Sequence, residues 1–205
     1  TDGQLANINR SEGFFDVIKD PIAMAGARVD HSWFFVSFGG QVYEIDFSGD
    51  QPRPQEPWPL ASHDERSLGW RPGGLQHVAI HRSTRRLYVL MHQGIAGSHK
   101  DAGPEIWVHD LETKRRINRF DVPNLTADFL GPLLGIATGS LTDRLLHWAT
   151  STPGAHAIAV TQDEQPLLFA RNADIGSIAV LDAKAGTHLR NLEEAGLMGP
   201  TLGVP

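Results

Sequence analysis

The middle of the chain reads Arg86-Leu87-Tyr88-Val89-Leu90-Met91 and, after a long connection, Glu105-Ile106-Trp107-Val108-His109-Asp110. Both runs are rich in aliphatic, aromatic and β-branched residues, which is typical of β-strands. A polar turn follows Asp110 and leads into a further strand, 116–120. A short apolar stretch at 76–81 precedes the first run. The segment therefore predicts a unit of four antiparallel strands.

The same unit occurs before and after this segment, with paired strands at 33–38 and 41–47 and again at 166–170 and 177–182. The second strands of the three units align on their final residue, which is Asp46, Asp110 or Asp182. An Asp at a strand end accepts hydrogen bonds from backbone N–H groups two residues further on, and so closes a turn. Repeats of four antiparallel strands are typical of propeller blades, so we predict an all-β β-propeller.

The spacing of the repeats predicts inserts. The aligned Asp residues are separated by 64 positions (46 to 110) and 72 positions (110 to 182), whereas a plain blade takes about 40–50 residues. We assign the excess to inserts at 49–74 and 123–154. The second insert is predicted to be partly helical, because Leu141, Leu145 and Trp148 follow helical spacing. It either covers a face of the propeller or docks another subunit.

The chain length predicts an incomplete propeller. At about 45 residues per blade plus inserts, the chain supplies about three to four blades of a single partial domain spanning 1–205. Closed propellers have about four to eight blades. We therefore expect that the N-terminal blades lie outside this chain.

Composition excludes several function classes. The net charge is −6 and the one basic cluster, 114–116, is flanked by acids, so we expect no nucleic-acid binding. The chain has no Cys, which excludes disulfides and Cys nucleophiles. It has no uninterrupted apolar run of about 18 residues, and we expect no membrane span. Phosphate-binding and serine-nucleophile motifs are absent from the sequence.

Several polar residues have two interpretations. His77 and His81 would lie about 13 Å apart on a strand, too far to share a metal, so we expect no metal site. His92, His99 and His109 surround one hairpin and either contribute to a polar site or cap turns and face solvent. Asp101 and Glu105 flank a Gly-Pro turn. They either perform acid–base work or solubilise the loop.

The segment Gly69-Trp70-Arg71-Pro72-Gly73-Gly74 ends the first insert. It is either an exposed aromatic and cationic corner suited to binding or a packed Trp beneath an Arg. Together with the hairpin, it provides the partner-interface candidates, which are Trp70, Arg71, His92, His99 and Lys100.

These motifs also carry a family resemblance. The segment 69–74, Leu87-Tyr88-Val89-Leu90-Met91-His92, Gly97-Ser98-His99-Lys100 and Glu105-Ile106-Trp107-Val108 together resemble the large subunit of aromatic amine and methylamine dehydrogenases. The Gly-Ser-His-Lys and Glu-Ile-Trp-Val motifs look closer to the aromatic amine branch. The resemblance covers about residues 1–122 and 155–192, with Val42–Gly49 and Gln162–Leu168 as further motifs.

The resemblance implies a seven-bladed propeller that pairs with a second large subunit and two small subunits in an α2β2 assembly. The small subunit of that family carries tryptophan tryptophylquinone, so no cofactor is expected on this chain. The enzyme oxidises a primary amine to an aldehyde and ammonia in the periplasm, and a cupredoxin or cytochrome c accepts the electrons. The large subunit supplies scaffold and docking surface. The family's channel residue lies in an earlier part of the chain, so the resemblance assigns no catalytic residue here.

Two other hypotheses remain open from the sequence. The chain is alternatively a non-catalytic propeller that serves as a binding module of the cell envelope. The other is a quinoprotein enzyme that binds a soluble cofactor in its central channel. This hypothesis is disfavoured because no cluster of polar residues and metal ligands in the sequence marks such a site.

Overall fold

The fold consists of three antiparallel sheets. The structure is a computed structural model that describes residues 22–74, 77–123, 154–173 and 177–193. In chain order its elements are β1 (Ile22–Val29), β2 (Ser32–Ser37), β3 (Gln41–Asp46), β4 (Arg53–Pro54), β5 (Trp58–Pro59), α1 (His63–Ser67), β6 (Trp70–Pro72), β7 (Val78–His81), β8 (Arg86–Gln93), β9 (Glu105–Asp110), β10 (Arg115–Asp121), β11 (Ala157–Val160), β12 (Leu167–Asn172), β13 (Ser177–Asp182) and β14 (His188–Glu193).

Each sheet is one blade of a partial propeller. The first has the order β1-β2-β3-β4, with β5 also paired to β3, and the third has the order β11-β12-β13-β14. The second has the order β10-β9-β8-β6, with β7 also paired to β8. Strand β7 of the second blade contacts β1 of the first blade and β11 of the third. These sheets confirm the predicted all-β propeller.

The predicted inserts differ in what the structure describes. The segment 49–74 contains β4 and β5, which complete the first blade, the short helix α1, and β6, which pairs with β8. The partly helical segment predicted at 123–154 lies outside the described residues except at its two ends.

The three aligned Asp residues close turns as predicted. Asp46 Oδ1 accepts from the Ser48 N–H at 2.8 Å. Asp110 Oδ1 accepts from Glu112 at 3.0 Å, and Asp182 Oδ1 accepts from Lys184 at 2.7 Å. These backbone hydrogen bonds hold the pKa of the Asp46 and Asp110 carboxyls below the usual value. The strand-end Asp is thus a repeated structural feature of the blades.

The second blade is the centre of the core because it is buried on both faces. Successive side chains of a strand point to opposite faces. Tyr88 and Leu90 of β8 therefore join one apolar cluster with the third blade, while Leu87 and Val89 join another with the first blade. This double burial explains why β8 is an uninterrupted apolar run rather than an alternating one.

Buried hydrogen bonds join the second and third blades. The Tyr88 hydroxyl donates to the Ala183 carbonyl at 3.0 Å. The two ring nitrogens of His81 lie 2.6 Å from the Thr84 hydroxyl and 3.0 Å from the Asp163 carbonyl. His81 therefore has a structural role between blades.

Substituting Tyr88→Phe is expected to lower the free energy of unfolding by about 1–2 kcal/mol. The change removes the hydroxyl that satisfies the Ala183 carbonyl, and a buried acceptor without a partner costs about 1–3 kcal/mol. Urea unfolding of the purified protein measures the effect as a lower midpoint at constant slope. An unchanged midpoint would show that this hydrogen bond does not help to hold the two blades together.

Candidate functional site

The predicted interface residues meet where β6 pairs with β8. Trp70 lies opposite Gln93 and Arg71 opposite His92 in the register of these strands. His99 and Lys100 follow in the connection between β8 and β9. The structure thus brings all five candidates to one end of the second blade.

His92 lies beneath the surface of this site. Its side chain is 3% exposed. A Cβ at Gly73 would lie 2.5 Å from the His92 ring, and one at Gly94 would lie 2.7 Å from it. The two glycines therefore admit the ring between two backbone segments. Burial lowers the pKa of His92, so we infer that this residue shapes the site as a neutral ring.

His99 and Lys100 lie nearer the surface. The His99 ring packs at a tilt of 30° against Phe38 of the first blade, with centroids 4.2 Å apart, and Lys100 is exposed. The ring of His77 also lies near Phe38, with centroids 6.0 Å apart, and His77 is 1% exposed. Burial lowers the pKa of His77 to about 4.

Trp70 is a packed residue with an arginine above it. Its ring lies 5.2 Å from the ring of the fully buried Trp107. The Arg119 guanidinium lies 5.2 Å from the Trp70 ring and 4.9 Å from the Trp107 ring. The arginine that covers Trp70 is thus Arg119, from β10. The neighbouring Arg71 instead donates to the Gly69 carbonyl at 3.2 Å.

Two glutamates hold the arginines over this Trp pair. Glu105 accepts three hydrogen bonds from Arg119, at 2.9, 2.8 and 2.6 Å, and one from the Trp107 indole N–H at 2.7 Å. Glu65 of α1 accepts from Arg116 at 2.7 Å. The pKa of Glu65 is lowered to about 2; burial opposes this shift, and the hydrogen bond and charge of Arg116 outweigh it. Glu65 and Glu105 therefore have a structural role, which is to hold Arg116 and Arg119 in place.

The remaining His candidate is also structural. His109 is buried, and its Nε2 lies 3.0 Å from the Leu60 carbonyl. Burial lowers its pKa to about 4. Like His92, it neither faces solvent nor caps an exposed turn.

The arrangement presents a surface suited to binding a partner. Within the described ranges, no group of three or more His, Cys, Asp or Glu side chains could hold a metal ion. Two of the acids at the site, Glu65 and Glu105, are committed to arginines. What remains accessible is a mixed apolar and cationic surface around Arg71, His99 and Lys100. In the part of the chain that the structure describes, no helix is long and apolar enough to cross a membrane.

Sequence reasoning missed the residues that arrive from elsewhere in the chain, which are Phe38, Glu65, Arg116 and Arg119. The pairing of Arg119 opposite Trp107 follows from strand register, which the sequence alone did not provide. The sequence contained one signal for Phe38, which is the Gly-Gly turn that follows it. A turn at that point places Phe38 at one end of the first blade.

Comparisons with known proteins agree on one family. The family described as methylamine dehydrogenase heavy chain (MADH) matches residues 11–128. The methylamine dehydrogenase heavy chain of Paracoccus versutus is 26% identical over 98% of this chain and 42% of its own length. That of Methylorubrum extorquens is 24% identical over 78% of this chain and 32% of its own length. The chain thus spans less than half the length of these curated relatives.

A solved structure supports the fold. The WD40 repeats of RRP9 share the fold at a TM-score of 0.51 and 11% identity, with 87% of this chain and 40% of that chain covered. At that identity the likeness concerns the propeller architecture alone.

Proposed function

This chain belongs to the methylamine dehydrogenase heavy chain family, and on that basis we propose that it is part of the large, non-cofactor subunit of a quinoprotein amine dehydrogenase. The enzyme oxidises a primary amine to an aldehyde and ammonia. The amine gives up two electrons and two protons, and water supplies the aldehyde oxygen. The observation that carries the proposal is the family match over residues 11–128.

The chain's role in that enzyme is to provide scaffold and docking surface. The blades place Arg71, His99 and Lys100 at one end of the second blade, where Glu65 and Glu105 are held in ion pairs with arginines. A surface that presents aromatic rings and cations supports binding of a partner.

The tryptophan tryptophylquinone cofactor belongs to the small subunit in this proposal. Such a quinone must be reached by the amine. The Trp pair of this site does not fit that requirement, because Trp107 is fully buried beneath Arg116 and Arg119. Its indole N–H is also engaged by Glu105. Trp70 and Trp107 therefore serve a structural role in this proposal, which places the cofactor on the partner subunit.

The assembly that we propose is an α2β2 heterotetramer in the periplasm. A cupredoxin or cytochrome c accepts the electrons. The Gly97-Ser98-His99-Lys100 and Glu105-Ile106-Trp107-Val108 motifs support an aromatic amine as the substrate. These parts of the proposal rest on the family resemblance of the sequence.

Purification of the protein from its source, without a tag, tests the proposal. The proteins that co-purify are separated on a denaturing gel and stained for quinone redox cycling. We expect one small, quinone-positive chain in stoichiometric amount. A quinone-negative intact assembly would contradict the enzyme and favour a propeller that serves as a binding module.

A further inference from the structure

Two large apolar side chains stand out from the surface of the second blade. Leu68 is 67% exposed and Ile95 is 81% exposed. They are the most exposed of the large hydrophobic residues in the described part of the chain. A single exposed apolar residue is ordinary, whereas adjacent ones mark interaction surfaces.

The strand register makes these two residues neighbours. Trp70 lies opposite Gln93, and the next pair outward is joined by a hydrogen bond from the Gly94 N–H to the Gly69 carbonyl at 3.0 Å. Leu68 and Ile95 follow one residue further along each segment. Consecutive Cα atoms are about 3.8 Å apart, so each residue lies one Cα step from the bonded Gly69–Gly94 pair, and we treat Leu68 and Ile95 as one apolar patch.

The backbone on the Ile95 side of the patch is held in place. The Ser98 hydroxyl donates to the Ile95 carbonyl at 2.6 Å, and the Ser98 N–H donates to the same oxygen at 3.2 Å. Because Gly94 is joined to Gly69 on the other segment, both ends of the Ile95 turn are tied.

The backbone on the Leu68 side is also held. Leu68 ends α1, whose first turn carries a capping box in which Ser62 and Glu65 bond reciprocally at 2.8 and 3.2 Å. Glu65 is in turn bound by Arg116 of β10. A surface that is ordered before binding loses little conformational entropy when a partner docks, so this patch is suited to act as an anchor.

The charges around the patch favour an acidic partner. Arg66 and Lys100 are exposed, and Arg71 lies against the Gly69 carbonyl. The acids on the same segments that make no ion pair are Asp64 and Asp101. These three cations against two acids give the patch a net positive charge in a chain whose net charge is −6. A second copy that docked through a two-fold axis would bring like cations together, which disfavours a second large subunit as the occupant.

We propose that Leu68 and Ile95 form the apolar centre of the surface that binds the small subunit. The partner presents an apolar pocket rimmed by Asp or Glu side chains, which face Arg66, Arg71 and Lys100. This inference rests on the proposed function, because that function supplies the small subunit as the partner. It adds two anchors that lie beside the interface residues predicted from the sequence.

The test compares variants of the complete large subunit expressed with its small subunit. Leu68→Asp combined with Ile95→Asp is expected to weaken binding of the small subunit at least about 30-fold, because truncating a central anchor typically has an effect of that size and a buried charge adds to it. Ile117→Asp is the matched control, since Ile117 is 46% exposed on β10 of the same blade. Circular dichroism and thermal unfolding check that each variant is folded.

The outcomes separate this inference from the function. Loss of the small chain, identified by peptide mass and quinone stain, from the double variant but not from Ile117→Asp supports the patch. Retention of the small chain by a folded double variant overturns the patch and leaves the function standing. If the wild-type protein binds no small quinone-bearing chain, both the inference about the patch and the proposed function are wrong. If the double variant loses pairing of large subunits but keeps the small chain, the patch joins large subunits and the inference is wrong.

Discussion

Acidification from pH 6.5 to pH 4 is expected to lower the free energy of unfolding of the purified protein by about 6 kcal/mol. His77 and His109 are both buried, and burial lowers each pKa from 6.5 to about 4. A pKa difference of one unit between folded and unfolded states corresponds to about 1.4 kcal/mol, so each residue contributes about 3 kcal/mol. Typical domains are stable by only about 5–15 kcal/mol, so the protein should unfold in mild acid.

The sign follows from proton binding. Between pH 6.5 and 4 these histidines are protonated in the unfolded chain and neutral in the folded protein, so the unfolded state binds more protons and gains stability as pH falls. The pKa of Glu65 is lowered from 4.5 to about 2, so its contribution is lost at lower pH. The pH range in which protonation of the histidines destabilises the protein therefore lies above the range in which protonation of Glu65 does.

Urea unfolding at several pH values measures the effect. Substituting His77→Leu is expected to reduce by about one the number of protons that the protein takes up on unfolding between pH 6.5 and pH 4. A stability that stays constant from pH 7 to pH 4.5 would mean that the buried rings are protonated in the folded protein.

Substituting Gly186→Ala is expected to cost about 2–5 kcal/mol. Gly186 closes the turn after Asp182 with φ +73°, where a non-Gly residue is strained by about 1–3 kcal/mol. An added Cβ would also lie 2.1 Å from the Phe120 ring of the second blade. Overpacking of a well-packed contact costs about 1–3 kcal/mol more.

The control for this substitution is Gly97→Ala. Gly97 has φ +94°, but an added Cβ would meet no atom within 4 Å. It therefore shares the backbone strain and lacks the overlap with a neighbouring blade. The difference between the two variants in the midpoint of urea unfolding isolates the packing between blades, and equal losses would contradict it.

Local patterns were sufficient to predict the main strands and turns. Strands β8 and β9 combine apolar residues with high strand propensity, and the Asp110 turn follows from its own side chain and the next two residues. Strands β4, β5 and β6 were placed in an insert instead. Each has two or three residues, which is too short to show the alternating pattern of polar and apolar residues. Each forms because it pairs with another strand elsewhere in the chain.

The sequence predicted which segments form the site, but not which side chains contact one another there. The sequence placed Trp70 and Arg71 beside the hairpin, and both lie there. It left open whether Trp70 was exposed or packed beneath an arginine, and that arginine is Arg119, which lies 49 positions away along the chain (70 to 119). The burial of His92 depends on Gly73 and Gly94 from two segments. Such contacts depend on register and blade packing, which no local pattern contains.

Amine-dependent electron transfer by the purified assembly tests the central claim most directly. The intact complex is mixed with a primary amine, first an aromatic one and then methylamine, and reduction of an artificial electron acceptor is followed together with the release of ammonia. We predict that acceptor reduction requires the amine and that one ammonia forms for every two electrons transferred. A complex that contains this chain and its small partner, yet reduces no acceptor with any primary amine, would contradict the assignment as an amine dehydrogenase subunit.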